Sequence, residues 1–204
     1  MRTSFDRSQL DYMDKHRRTN LINSLSGYKS ANLLGSINAQ QQTNLALMSS
    51  VFHVGANPPL MGCLLRPHTV PRHSLENILE MGCFTLNTVA KSFYKQAHQT
   101  SARYSRDQSE FEAVGLTPEY SDVLCAPYVS QSPVQIGLSL VETQPLEINN
   151  TVLVIGEIKE IRLADDMMAD DGHLKLSKME AVALSGLDEY HLTASLGRLP
   201  YPKP

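Results

Sequence analysis

Arg66, Arg72, His73 and Ser74 fall within a few residues of one another. Two guanidiniums supply forked N–H donors, an imidazole adds another, and a hydroxyl stands where a helix should begin. Free backbone N–H groups at a helix start complete what reads as a phosphate site built without a Gly-rich loop. The competing reading is a solvated surface loop, the usual fate of charges. Upstream, Ser49 and Ser50 interrupt the apolar run Leu45 to Val54. Adjacent residues on a strand face opposite sides, so at least one of these hydroxyls needs a polar partner. Either they donate to a ligand or they are small residues on a barrel strand.

The surrounding pattern predicts the elements that hold these groups. Leu45 to Val54 and Leu60 to Leu65 read as strands, the second short and apolar enough to be buried. Between them, Gly55-Ala56-Asn57-Pro58-Pro59 forbids helix. Ser74 is the expected N-cap of a helix over Leu75 to Met81, with Gly82 as its stop. Ser30 to Ile37 reads as a further strand, and the three runs are expected to pair antiparallel through short connections. Cys83 to Thr88 predicts a strand, Ala90 to His98 a helix with Phe93 and Ala97 on one face, and Ser109 to Gly115 a short helix. Strands follow at Val123 to Val129, Val134 to Val141 and Thr151 to Leu163, where Val134, Ile136, Leu138 and Leu140 give the clearest period of two. Asn149-Asn150 is the turn between the last two. Ser177 to Glu180 has capping-box spacing for a short helix, and Tyr190 to Thr193 reads as a last strand. About seven strands with a few short helices predict an all-β barrel with peripheral helices.

Composition narrows the function classes. The chain has 204 residues, enough to bury a full core, and is most simply one domain spanning 1–204. A polar N-terminal leader covers 1–20, with Phe5, Leu10, Tyr12 and Met13 as its few anchors, and an extended tail covers 194–204. With 18 basic against 21 acidic residues the net charge is −3, which gives no electrostatic reason to expect nucleic acid or an anionic membrane. The basic loop is therefore local and serves one small anion. No apolar leader or spanning run is present, so a cytoplasmic protein is expected. Cys63, Cys83 and Cys125 are far apart in apolar runs and read as buried free thiols with no ligand pair among them. Asp165 to Asp171 lacks the Ca²⁺-loop spacing and reads as a solvated turn; His173 reads as an exposed loop histidine. No metal site is expected. The GxGxxG, GxxxxGK[ST], HExxH and GxSxG patterns do not occur.

The run from Asn44 through Phe52, then Asn57-Pro58-Pro59-Leu60-Met61-Gly62, Arg66-Pro67 and Ser74-Leu75-Glu76-Asn77-Ile78, resembles the flavin reductase-like FMN-binding split-barrel family. The likeness continues through Phe84 to Asn87, Ser109 to Phe111, Gly115 to Thr117 and Leu184 to Tyr190, so that it spans Leu21 to Thr193. It implies a six-stranded antiparallel Greek-key split barrel, a homodimer, and FMN (FAD being the alternative flavin) near the subunit interface. On that resemblance Ser49 and Ser50 would contact flavin, and Val51 and Phe52 would lie beside its ring, although Phe52 reads equally as core. Arg66, Arg72, His73 and Ser74 would hold the phosphate. Thr100, Ser101 and Ala102 would form a loop over the flavin, from the partner subunit, or else an ordinary connection. Asn77 reads as a helix residue facing the loop. The implied activity is NAD(P)H:flavin oxidoreduction, with NADH or NADPH as transient substrate and a monooxygenase or other electron acceptor downstream. The flavin carries the chemistry, so no catalytic side chain is nominated. The alternatives are an electron-transfer flavoprotein without nicotinamide turnover and a pyridoxamine-phosphate-oxidase-like enzyme.

Overall fold

The structure is a computed structural model that describes residues 2–67 and 69–203. Met1 and Pro204, the outermost residues of the expected leader and tail, lie outside them. In chain order the elements are α1 (Arg7–Tyr12), α2 (Lys15–Ser24), β1 (Lys29–Ser30), β2 (Asn32–Ile37), β3 (Thr43–Met48), β4 (Val51–Ala56), β5 (Pro59–Leu65), α3 (His73–Met81), β6 (Cys83–Thr88), α4 (Tyr94–Gln99), α5 (Glu110–Val114), β7 (Pro118–Glu119), β8 (Tyr128–Val129), β9 (Val134–Leu146), β10 (Thr151–Leu163), β11 (Val182–Ser185) and β12 (Glu189–Leu192).

Seven strands form one sheet in the order β3-β2-β6-β9-β10-β5-β4, all pairs antiparallel. Its two edge strands, β3 and β4, are consecutive in the chain and separated only by Ser49 and Ser50. Laid flat, six spacings of about 4.8 Å would hold the edges about 29 Å apart. Two linking residues reach at most about 11 Å. The sheet must therefore curl until its edges meet, which makes it a split barrel. This also corrects the single strand expected over Leu45 to Val54: it is two strands on opposite edges, and the resemblance's six strands become seven. Of the three runs expected to pair together, β2 pairs with β3 and β4 pairs with β5, but those two hairpins lie at opposite ends of the sheet.

The core has two parts, divided by the barrel wall. Inside, Leu34, Cys63, Leu65, Phe84, Leu86, Leu138 and Val154 meet Leu75 and Ile78 of α3. Outside, Leu33, Leu45, Val89, Phe93, Ala97, Phe111, Val129, Val182 and Leu184 pack together. Leu33 and Leu34 thus serve opposite clusters, as the period of two requires, and every residue of β2 is buried. A small sheet, β1-β11-β12, covers part of the outer face; β11 gave no separate sequence signal.

Several other boundaries differ from expectation. The helix expected over Ala90 to His98 is confined to α4, because Ala90 bridges to Ala181; Phe93 and Ala97, expected on one face, are both buried. The strand expected from Val123 shrinks to β8, with Val123 itself exposed. Ser177 to Glu180 is a turn ending at Glu180 with φ 49°, not a capped helix. The leader forms two helices, neither with a buried residue; Tyr12 is 91% exposed. Cys125 is exposed rather than buried.

The segment between α5 and β9 lies across the outside of the barrel, and glycines admit it. A Cβ on Gly35 would overlap the Pro127 carbonyl oxygen and the Thr85 hydroxyl, which itself donates to that carbonyl at 2.6 Å. A Cβ on Gly137 would overlap the Tyr128 hydroxyl and Leu124. Gly35→Ala must push the strap outward and break the Thr85 bond. It is expected to cost about 1–3 kcal/mol, in the range of overpacking, with Ile148→Ala in the exposed turn between β9 and β10 costing far less. Urea denaturation of the two variants against wild type measures this; equal stabilities would remove the strap argument.

Candidate functional site

The barrel seam opens into a cavity of about 890 Å³. Its walls come from the end of β3, the Ser49–Ser50 link, the end of β5 with Arg66, the start of α3, and the 100–106 segment. Of the residues expected from sequence, Ser49, Ser50, Arg66, Arg72, His73, Ser74, Thr100, Ser101 and Ala102 line it. Val51 and Phe52 do not. Val51 packs against the barrel interior, and Phe52 is 42% exposed on the β4 edge.

Ser50 has its polar partner within the fold. Its hydroxyl donates to the Leu64 carbonyl at 2.7 Å, and its own carbonyl accepts the Leu64 N–H at 3.3 Å. The link is thereby anchored to β5. Thr100 likewise spends its hydroxyl on the Ala97 carbonyl at the end of α4. The Ser49 and Ser101 hydroxyls remain available to a ligand, whereas the N–H groups of Thr100, Ser101 and Ala102 are spent on carbonyls of the preceding helix turn.

At the other end, α3 begins two residues earlier than predicted. Arg72, not Ser74, is the N-cap, with φ −123°, and no side chain caps it. Ser74 sits inside the first turn and is buried. Its oxygen accepts from Asn44 Nδ2 at 2.8 Å. Asn44 donates to the Ser74 oxygen, so the Ser74 proton is not needed for that bond, and both residues line the cavity. Asn44 had only the weak signal of a buried polar residue in an apolar strand. From Asn44 to Met48 the strand advances about 14 Å, so Ser74 and Ser49 mark opposite ends of a long cavity.

The cations divide into two groups. Arg106 is compensated: it pairs with Glu76 and donates to Asn77 Oδ1 at 3.2 Å, while Asn77 Nδ2 donates to Ser36 Oγ. Asn77 is thus a buried helix residue committed to structure. Arg66, Arg72 and Arg103 have no ion-paired carboxylate among the described residues, and all three line the cavity. Arg72 Nε donates to the Pro67 carbonyl at 3.1 Å, which fixes the guanidinium and leaves its outer N–H groups free. Partial burial, then Arg66 and Arg103, pull the Arg72 guanidinium below its ordinary value. Three uncompensated guanidiniums near one another make a site short of an anion. Burial, then Arg106, holds the His73 imidazole below its usual range, so at neutral pH it adds a neutral donor rather than a third kind of cation.

Lys29 is a cavity residue that sequence reading missed. Its ammonium donates to the carbonyls of Asn23 and Gly186 at 3.1 and 3.0 Å, leaving one N–H. It lies three residues before Asn32, the partner of Met48, and so belongs to the Ser49 end. Arg103 and Lys29 had no local signature, because only the fold brings them to the seam. Glu110, at the start of α5, is buried on the cavity wall and accepts the Leu45 N–H at 2.9 Å. Burial raises its carboxyl pKa, partly offset by that bond. Among the described residues no cluster could hold a metal ion.

A family model described as flavin reductase like domain matches residues 27–176. The structure superposes on that of a split-barrel protein from Shewanella frigidimarina NCIMB 400, provisionally named a flavin reductase. The TM-score is 0.95 at 50% identity, covering 98% of this chain and 100% of that one. At lower identity the likeness is one of fold. Nitrilotriacetate monooxygenase component B from Bacillus cereus gives a TM-score of 0.86 at 20% identity, covering 98% of this chain and 99% of that one. Flavoredoxin from Desulfovibrio vulgaris (Miyazaki F) gives 0.76 at 21%, covering 86% and 92%.

Glu110 yields a pH prediction. A carboxyl whose pKa is raised by folding binds its proton more tightly in the folded state, so folding loses stability as pH rises from the unfolded value through the folded one. Glu110→Gln keeps an acceptor for Leu45 and removes the buried charge. It should raise the melting temperature at pH 7, with the gain vanishing at pH values below about 4, where wild-type Glu110 is itself protonated. A gain that persists unchanged into acid would show that charge burial is not its cause.

Proposed function

The chain belongs to the flavin reductase like domain family, and from that premise we propose that it is an FMN-binding oxidoreductase that passes hydride from NADH or NADPH to flavin. The observation that carries the reading is the pairing of three uncompensated guanidiniums and the Ser74 proton at one end of a long cavity with the Ser49–Ser50 link and Lys29 at the other. This donor set fits a molecule with a phosphate dianion at one end and a polar ring at the other. The cavity volume lies within the range of small-molecule sites. Bound flavin would supply the hydride-accepting ring.

The residues of the chain have binding and orienting tasks. Arg72, held by the Pro67 carbonyl, meets the phosphate in a set geometry, and Arg66 and Arg103 complete its neutralisation. Ser74 donates its one proton there, its oxygen held by Asn44. Ser49 and the backbone of the link offer donors to the ring, and Lys29 places positive charge near that end. Thr100, Ser101 and Ala102 form the outer wall and limit water at the site. No side chain need act as acid or base. A cytoplasmic setting and a monooxygenase or other electron acceptor that consumes reduced flavin complete the proposal.

A second subunit belongs to it as well. The free edge of β4 exposes Phe52 and Val54 at 42% and 41%, and β9 and β10 expose Val141 and Ile161 at 54% and 53%. An open, apolar strand edge invites pairing with another chain. We assign Val51 and Phe52 to the neighbourhood of a twofold interface rather than to the cavity wall.

Two measurements test the reading. A charge-assisted hydrogen bond contributes about 1.5–3 kcal/mol, or roughly ten- to hundredfold in affinity. Arg72→Ala should weaken FMN by that factor and leave riboflavin, which lacks the phosphate, almost unchanged. Ser74→Ala and Asn44→Leu should show the same selectivity with smaller losses. Equal losses for both ligands would free Arg72 of the phosphate role. Wild type loaded with FMN should also oxidise NADH or NADPH in steady state; retained flavin without that turnover identifies an electron carrier instead.

For assembly, light scattering at micromolar concentration should return the mass of two chains, and Phe52→Glu should shift it toward one. A monomeric mass for FMN-loaded wild type removes the twofold arrangement.

A further inference from the structure

Cys83 and Cys125 take no part in the cavity. Cys83 opens β6 immediately after the Gly82 helix stop and is 5% exposed. Cys125 lies in the strap outside the barrel and is exposed. Their Sγ atoms are 2.6 Å apart although 42 residues separate them in sequence. Both are free thiols. The third cysteine, Cys63, is 1% exposed in the barrel interior, where its thiol is pushed up to about 12 by burial. Cys63 behaves as a small apolar residue. The other two are a contacting dithiol with one sulfur open to solvent, which is a geometry for two-electron oxidation.

We propose that Cys83 and Cys125 form a reversible disulfide site, oxidised by a hydroperoxide and restored by an external dithiol. Cys125 meets the oxidant first, because Cys83 is enclosed. The Cys125 thiolate attacks a peroxide oxygen; the O–O bond breaks, the other oxygen leaves as water or alcohol after protonation, and Cys125 becomes a sulfenic acid. Burial and the neighbouring thiol hold Cys83 up to about 11, so it stays protonated until this point. The Cys83 sulfur then attacks Cys125, the S–O bond breaks, and the hydroxide leaves as water with the Cys83 proton. Two thiols have lost two electrons and two protons, and the peroxide has gained them. On return, the external dithiol attacks the accessible Cys125 sulfur, forms a mixed disulfide, and releases Cys83 as thiol.

The bond would join β6 to the strap whose Pro127 carbonyl already accepts from Thr85. It closes a long loop and so restricts the unfolded chain, while the ligand cavity is untouched. The site is independent of whether the cavity takes flavin.

The test uses the full chain, reduced with dithiothreitol, freed of it, and treated with stoichiometric hydrogen peroxide. Thiols are then alkylated under denaturing conditions and the peptides mapped by mass. Expected are a linked pair containing Cys83 and Cys125, lighter by two hydrogens, an alkylated Cys63, and a rise in melting temperature on the order of 10 °C that dithiothreitol reverses. Cys125→Ser, a change at an exposed position that keeps the fold, should abolish both the link and the rise. Cys125 converted to sulfinic acid with Cys83 still alkylated, a bond between two chains, or three unreacted thiols would each overturn the proposal.

Discussion

The short link at Ser49–Ser50 is the constraint on which the architecture depends. Two residues connect strands that sit at opposite edges of a seven-stranded sheet, and no flat sheet can satisfy that connection. Closure follows, and with it a seam. Ser50 ties the link to β5 through two hydrogen bonds with Leu64, continuing the β4–β5 pairing into the link. The cavity runs along this seam, so the geometry that closes the barrel also creates the space for a ligand.

Charge is arranged by the same closure. The chain is slightly acidic as a whole, yet Arg66, Arg72 and Arg103, which have no ion-paired carboxylate among the described residues, lie near one another on the cavity wall. Carboxylates stand close by, but they are committed. Glu76 pairs with Arg106 and accepts the Arg72 backbone N–H, and Glu110 accepts from the edge of β3. Among the described residues the cavity is lined by Lys29, Arg66, Arg72, Arg103 and Arg106 against Glu110, so its local field is positive. Asn44 holds the Ser74 hydroxyl oxygen by donating to it, at the wall both residues share.

The outer face is held by a second device. Glycines at 35 and 137 are depressions in the barrel wall into which the strap settles, with Thr85 and Asn87 bonding its main chain at Pro127 and Val129. Tyr128 is wholly buried there, and its hydroxyl donates to Glu160 at 2.7 Å. The strap has little regular structure beyond the short β7–β8 pair, and Thr85 and Asn87 of the barrel supply partners for its main chain.

The sequence by itself determined the strands with strong local signals. Thr151–Leu163 and Cys83–Thr88 occur as their patterns require, Gly82 and Gly115 end their helices with φ 69° and 71°, and Asn149-Asn150 turns between β9 and β10. The family likeness was also legible, since it rests on the order of short motifs. The sequence could not show that Leu45 to Val54 divides at Ser49, because an apolar run looks the same whether it continues or crosses to another edge. Nor could it show that Ser177 to Glu180 stays a turn or that the helix after Ala90 begins late, because contacts made across the fold overrode local spacing. It grouped Arg66, Arg72, His73 and Ser74 by closeness in the chain, but that Asn44, Arg103, Lys29 and Glu110 line one cavity with them is decided only in three dimensions. The contact of Cys83 with Cys125 is of the same kind: 42 residues apart in the chain, they meet because the strap crosses the start of β6. Local chemistry decides the elements, whereas long-range closure decides which side chains share a space.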